Sequence, residues 1–206
     1  MAKKIKSNFK NILICLLLIT ALTACLLGLV YKFTKEPIEI SKQNKEKSAI
    51  EKVLPGEYDR LEEKKFPLEE VAEQNIFKKE AAADSLRVNM AYKGDELVGM
   101  AVETFTDKGF GGRVKLMVGF TSAGDIYKVE VLSHSETPGL GSKMTDESFY
   151  KQFEGKNPGN FILKVKKDGG DVDAITAATI SSRAYCDALD RAYNVITNII
   201  GGQDNE

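Results

Sequence analysis

The chain is poor in the residues that build metal sites and disulfide frameworks. It holds one histidine, His134, and three cysteines, Cys15, Cys25 and Cys186. No CxxC pair occurs, and no cluster has metal-ligand spacing, which argues against a self-contained zinc or iron–sulfur site. Cys15 and Cys25 lie in an apolar run near the N-terminus, so a disulfide framework is not expected. An excess of either charge is also lacking. The 29 Lys and Arg stand against 30 Asp and Glu, for a net charge of −1, which gives no support to a nucleic-acid partner. Internal repeats and low-complexity tracts are absent. The 206 residues suffice for one ordinary domain with a core plus an accessory segment.

The near-neutral total hides an asymmetry. Lys3, Lys4, Lys6 and Lys10 precede any acid, and the remaining sequence is mildly acidic. Ile12 to Val30, "ILICLLLITALTACLLGLV", is free of charge and as a helix would be about 29 Å long, close to the hydrocarbon thickness of a bilayer. The lysines on its N-terminal side keep that end cytoplasmic by the positive-inside rule, so everything after Tyr31 is expected outside the cytoplasm. Two other readings are open. "LTAC" at Leu22–Cys25 resembles a lipoprotein processing site that would lipidate Cys25, and a cleaved signal peptide is the other. Leu26, Leu27, Leu29 and Val30 continue the apolar run, which favours an uncleaved span.

Beyond the span, Pro37 interrupts a charged stretch, and Ser41 to Val53 reads as a helix stopped by Pro55-Gly56, a solvated stalk. Residues 57–85 read as loops with short helical pieces. From Leu86 the period becomes two. Leu86, Val88, Met90 and Tyr92 alternate with polar or small neighbours, Val98, Met100, Val102 and Thr104 share a face, and so do Val114, Leu116, Val118 and Phe120. A turn at Ala123-Gly124-Asp125 leads into Tyr127, Val129 and Val131. These predict an antiparallel meander with one buried face. A short helix is expected over Thr145 to Phe153, a further strand at Phe161, Leu163 and Val165, and a long helix from near Ala178 to Ile200, ended by Gly201-Gly202. Strands followed by helices, without βαβ alternation, indicate an α+β fold.

Three stretches have the composition of a site. Asp173-Ala-Ile-Thr176-Ala177-Ala178-Thr179 stands where the long helix begins. A helix N-terminus offers free N–H groups and partial positive charge, which suits a phosphate, and the alanines leave room while the threonines supply hydroxyls. Asp and Thr are also ordinary helix caps. "SHSETPGLGSKM", Ser133 to Met144, forms a rigid loop poor in side chains, through Pro138, Gly139 and Gly141, which a flat ligand can approach closely. His134 and Glu136 are capable of acid–base work, but no nucleophile is paired with them, and a plain structural turn is the simpler account. "DKGFGGRVKLMVGF", Asp107 to Phe120, precedes a strand, whereas dinucleotide fingerprints follow one, so Gly109, Gly111 and Gly112 read as a sharp β-connection rather than a phosphate nest.

Taken in order, the anchor, "GFGG" before "VKLMVGF", "HSETPGLGSKM" and "DAITAAT" resemble the G subunit of the Rnf complex, an ion-translocating ferredoxin:NAD⁺ oxidoreductase. More distantly they resemble the C subunit of the sodium-translocating NADH:quinone oxidoreductase. The resemblance implies FMN joined through a phosphoester to the last Thr of a D-x-x-[ST]-[GA]-A-T pattern, matched here by Asp173, Thr176, Ala177, Ala178 and Thr179, with Ala177 where Gly is commoner. It implies a flavin transferase as partner, other subunits of the complex beside the chain, and a redox role that is not catalytic alone. It also implies that the Thr137–Gly141 loop, with Glu136, Gly139 and Leu140, packs against the isoalloxazine, and that Lys143 or Arg113 offsets negative charge on the reduced flavin. The expected layout is a cytoplasmic tail over 1–11, a transmembrane helix over 12–31, a stalk region over 32–85, an FMN-binding domain with an antiparallel sheet and long last helix over 86–202, and a tail over 203–206. A stand-alone membrane-anchored flavoprotein is the alternative outside such complexes.

Overall fold

The computed structural model describes residues 9–67 and 85–203. It divides into two compact units, Met1–Lys45 and Glu46–Glu206. Helix α1, Phe9–Val53, begins in the first unit, where every described residue is exposed. Its apolar run is long and apolar enough to cross a membrane. The expected break at Pro37 is absent: α1 continues through it. A proline removes one donor from the helical ladder, and the turns on either side persist here without it.

In the second unit the strands are β1 Arg60–Pro67, β2 Ser85–Lys93, β3 Glu96–Gly109, β4 Gly112–Thr121 and β5 Ile126–Ser133. They form one antiparallel meander in the order β1-β2-β3-β4-β5. Strand β1 corrects the expectation of loops and helical pieces after residue 57. Its sequence, RLEEKKFP, lacks apolar alternation because it pairs only at the margin of the sheet, Arg60 to Pro67 against Tyr92 to Ser85. The part of that stretch over residues 68–84 lies outside the described residues.

Helix α3, Thr179–Gln203, covers one sheet face. Leu86, Val88, Met100, Val102, Val114, Leu116, Val118 and Phe120 are fully buried there with Ala188, Leu189, Ala192, Val195 and Ile196. Each such large side chain contributes about 1.5–3 kcal/mol by leaving water. The small residues on α3 let it approach β3 closely enough for the Thr104 hydroxyl to donate to the Ala188 carbonyl at 2.9 Å. The helix runs through Gly201-Gly202 to Gln203, past its expected stop.

The other sheet face is not open, as a one-sided meander would be. The last turns of α1 lie on it, and Ala49, Val53 and Leu54 pack against Ala91, Ala101, Met117 and Leu132. The stalk reading therefore fails at its C-terminal end. Gly119 makes the contact possible, because a Cβ there would overlap the Val53 carbonyl. Ion pairs rim the seat, Lys52 with Glu130 at 2.8 Å and Arg87 with Glu46 at 2.9 Å.

Two further expectations are corrected. Tyr127 is 44% exposed rather than inward. Gly119 pairs with Lys128 and Phe120 with Ile126, so the bulge skips Tyr127 and puts Ile126 in the core in its place. Phe161, Leu163 and Val165 do not form a strand. Only an isolated bridge joins Val165 to Val172, and the backbone is satisfied locally, with the Val172 N–H donating to Lys164 O and the Lys166 N–H to Val172 O. The short helix over 145–153 is in fact two 3₁₀ turns, Gly141–Thr145 and Lys151–Phe153, around α2, Glu147–Tyr150.

Tyr185 is fully buried, stacked on Phe153 at 5.2 Å and edge-on to Phe149 at 5.1 Å. Its hydroxyl has no hydrogen-bond partner among the described residues, and burial holds the phenol well above its ordinary pKa, so it stays neutral. An unsatisfied buried hydroxyl costs about 1–3 kcal/mol. Tyr185→Phe should therefore raise the melting temperature by roughly 2–4 °C per kcal/mol recovered, read by a thermal melt of the full chain in detergent. An unchanged or lower midpoint would show that the hydroxyl has a partner.

Candidate functional site

The three motif stretches meet. A cavity of about 320 Å³ is lined by Phe110 from the β3–β4 turn, by Glu136, Thr137, Leu140 and Gly141 from the loop after β5, and by Ala177 through Ser181 at the start of α3. Each wall follows from local chemistry. The β3–β4 connection is the two residues Phe110-Gly111, with Gly109 paired to Gly112 and Gly112 at φ 106°. This puts Phe110 at a hairpin tip, 69% exposed. It is the sharp β-connection read from the glycines.

In the second wall, the Leu140 N–H donates to the Thr137 carbonyl at 3.1 Å, closing a turn with Pro138 and Gly139 at its centre and Gly139 at φ 75°. Proline followed by a left-handed glycine is the type II pattern. The Gly139 N–H donates to Ser142 Oγ at 2.9 Å and holds the turn.

In the third wall, the Ala178 N–H donates to the Ile175 carbonyl at 3.0 Å, and Ala177 stands in that turn at φ 61°. It is the only non-glycine with positive φ among the described residues. Ser182 Oγ accepts the Ile175 N–H at 2.9 Å and donates to the Ala178 carbonyl at 3.0 Å, fastening the turn to α3. The chain then enters α3 at Thr179. The N–H groups of Thr179, Ile180 and Ser181 have no helical acceptor, the first helical bond being from Ser182 to Ala178 O. Thr179 is half-buried on the cavity wall, and its hydroxyl has no hydrogen-bond partner among the described residues.

Ala177 is the strained point. An L-residue in the left-handed region costs about 1–2 kcal/mol. Ala177→Gly should raise stability by about 1 kcal/mol, a gain of roughly 2–4 °C in a thermal melt, although glycine normally destabilises. A lower midpoint would show that the turn is not left-handed in solution.

Not every expected residue reaches the cavity. Asp173 is exposed and points to Lys166, 2.8 Å away, while its backbone N–H donates to Gln152 Oε1 at 2.7 Å. Thr176, Gly139 and Lys143 are exposed and do not line it. Arg113 grips Asp107 with two hydrogen bonds, of 2.7 and 2.8 Å, and lies 4.4 Å over the Phe105 ring. The hydrogen bond from Arg113 holds the Asp107 carboxyl below its ordinary range against the opposing effect of burial. His134 Nδ1 accepts the Glu136 N–H at 3.2 Å, a backbone tie rather than an acid–base pair. The sequence motifs do not single out Ile180, Ser181 and Ser182, of which the first two line the cavity and the third fastens its turn. Their signal was the hydroxyl pair in the first helical turn.

A larger cavity, of about 540 Å³, lies between α3 and residues 158–168. It holds none of the motif residues. Its thiol, Cys186, is pushed up to about 12 by burial and is no nucleophile. Arg183 there is bound to Asp168 at 2.6 and 2.7 Å.

The smaller cavity combines a hydroxyl and unpaired helix N–H groups with the apolar side chains of Phe110, Leu140 and Ile180, all exposed. That donor set fits a phosphate, and the apolar flanks fit an aromatic ring. Residues 109–194, which supply all three walls, match the family described as FMN-binding domain. Curated relatives named as the G subunit of an ion-translocating oxidoreductase complex match the chain, two of them over most of its length. The protein from Erwinia tasmaniensis is 30% identical over 91% of this chain and 90% of its own. That from Vibrio cholerae is 31% identical over 87% and 88%, and that from Shewanella baltica is 43% identical over 46% and 47%. The chain belongs to this G-subunit family. A crystal structure of Shewanella oneidensis NqrC aligns over 59% of each chain at 24% identity, with a TM-score of 0.43.

Proposed function

We propose that this protein is a membrane-anchored electron-transfer subunit of an Rnf-type ion-translocating ferredoxin:NAD⁺ oxidoreductase, with FMN covalently held on Thr179. The observation that carries the reading is the free Thr179 hydroxyl, on a cavity wall and in the first turn of α3. In the attachment step, Thr179 Oγ forms a P–O bond to an activated flavin phosphate delivered by a transferase. The hydroxyl loses its proton, and the previous phosphate substituent leaves. The N–H groups of Thr179, Ile180 and Ser181 would hold the remaining phosphate oxygens, their charge favoured by the helix dipole. Phe110, Leu140 and Ile180 would flank the ring and exclude water from it, and Thr137 and Gly141 would present backbone to its edge. When bound, the flavin supplies one- and two-electron transfer, while the protein sets its position and potential.

Asp173 and Thr176, outside the cavity, belong in this reading to the surface the transferase meets, with Ala177 and Ala178 keeping the approach to Thr179 open. Lys143 is proposed to act from outside the cavity wall, through its charge alone. The apolar part of α1 is the membrane anchor, with residues 1–11 cytoplasmic and the rest extracytoplasmic, where the transferase must also act. The FMN-binding domain is assigned to 86–202, with 32–85 linking it to the span. Similarity to G-subunit proteins over about nine-tenths of the chain supports the Rnf-type complex over the C subunit of the quinone-linked enzyme.

The test is co-expression. Chain made with a flavin transferase in the extracytoplasmic compartment should give a UV-fluorescent band on a denaturing gel, and chain made without it should give none. Purification from the native membrane should then yield a stoichiometric complex of several different chains. A lone, monodisperse flavoprotein would favour the stand-alone alternative.

A further inference from the structure

Glu136 lines the cavity, yet its carboxylate is already engaged by the protein. It is 5% exposed. Oε1 accepts the Gly111 N–H at 3.2 Å and Oε2 accepts the Ser181 hydroxyl at 2.7 Å. No Lys or Arg forms an ion pair with it among the described residues. The surrounding glycines have one shared consequence. A Cβ on Gly109 would lie 2.6 Å from Oε1, and a Cβ on Gly141 would lie 2.5 Å from Oε2. Gly111 has no room for one either, because it would overlap the Ser135 carbonyl. Glycines from two distant motifs thus clear the space around a single carboxylate.

We infer that Glu136 is the positioning residue of the cavity, tying the hairpin tip that carries Phe110 and the first helical turn that carries Thr179 to one loop. Its two acceptor oxygens hold one group from each neighbouring wall, so the walls keep their spacing with no ligand between them. A buried carboxylate facing only neutral donors is costly unless they are well placed. The first turn of α3 helps, since a helix N-terminus favours negative charge. The role is one of hydrogen-bond geometry. Glutamine preserves it, because its oxygen accepts from Gly111 and its NH₂ donates to Ser181 Oγ, which has free lone pairs. Alanine removes both ties.

The inference rests on the flavin reading only for its purpose, so the experiment has two arms. The first measures flavin per folded chain after co-expression with a transferase, for wild type, Glu136→Ala, Glu136→Gln and Ser181→Ala. The second uses flavin-free protein. The chain contains no tryptophan, so Phe110→Trp adds a single indole at the hairpin tip, whose time-resolved anisotropy reports local motion. Glu136→Ala should cut flavin occupancy at least tenfold and increase indole motion, while Glu136→Gln stays within twofold of wild type in both. Ser181→Ala, which removes only the tie to α3, should lower occupancy several-fold and serves if Glu136→Ala does not fold. Wild-type occupancy and anisotropy in folded Glu136→Ala or Ser181→Ala would overturn the proposal, as would a glutamine variant that behaves like the alanine one. If wild type itself takes no flavin, the flavin reading fails, and the anisotropy arm alone decides the role of Glu136.

Discussion

Thr179→Val is expected to give a folded, anchored protein that carries no covalent flavin when co-expressed with a transferase. Valine matches threonine in shape and lacks only the oxygen. The Thr179 hydroxyl has no partner among the described residues, so its loss strands no donor or acceptor, and the change in stability should stay within about 0.5 kcal/mol. Loss of flavin therefore cannot be attributed to unfolding. Fluorescence of the denatured band reads the loss, and a thermal melt of flavin-free chain checks the fold. A fluorescent band in the valine variant would place the attachment elsewhere. Thr176 and Thr137 are then the neighbouring hydroxyls to test, although Thr176 does not line the cavity.

The second large effect concerns the seat of α1. Gly119→Ala places a methyl where the Val53 carbonyl lies, and backbone on both sides leaves nothing to give way. The last turns of α1 must lift, exposing Val53, Leu54 and Met117, which are now buried. Overpacking of this kind typically costs about 1–3 kcal/mol. With lost burial added, about 3 kcal/mol is expected, a fall of roughly 6–12 °C in the melting midpoint. Flavin attachment should survive at permissive temperature, because the cavity is built on the α3 side of the sheet. A midpoint within a degree or so of wild type would mean that the helix end does not rest on Gly119 in solution.

The site was legible where short-range chemistry decides it. Pro138-Gly139 specifies its turn whatever surrounds it, and Gly109, Gly111 and Gly112 specify a tight hairpin. The small, hydroxyl-bearing run before α3 marks a helix start. Order along the chain did not show which of these residues would face inward. Asp173 lies in the same motif as Thr179 but turns to Lys166 and Gln152. Phe110 and Ser181 enter the cavity only because a hairpin and a helix converge on one loop.

The same division holds for the fold. β4 announced itself through Val114, Leu116, Val118 and Phe120, since one of its faces is wholly apolar. Strand β1 gave no such sign, because RLEEKKFP owes its conformation to pairing with β2 rather than to burial. The bulge at Tyr127 and the seat of α1 were hidden for a related reason. Both depend on contacts between separate segments of the chain, which periodicity within one segment does not encode, and at the seat of α1 a single glycine's missing Cβ decides the packing.

The most direct test of covalent flavin on Thr179 is mass spectrometry of the intact chain from cells that express a flavin transferase, followed by peptide mapping across residues 173–183. One added FMN phosphoryl group per chain, localised to Thr179, is expected, with no addition in transferase-free cells. An unmodified 173–183 peptide from transferase-expressing cells, or flavin found on any other residue, would contradict it.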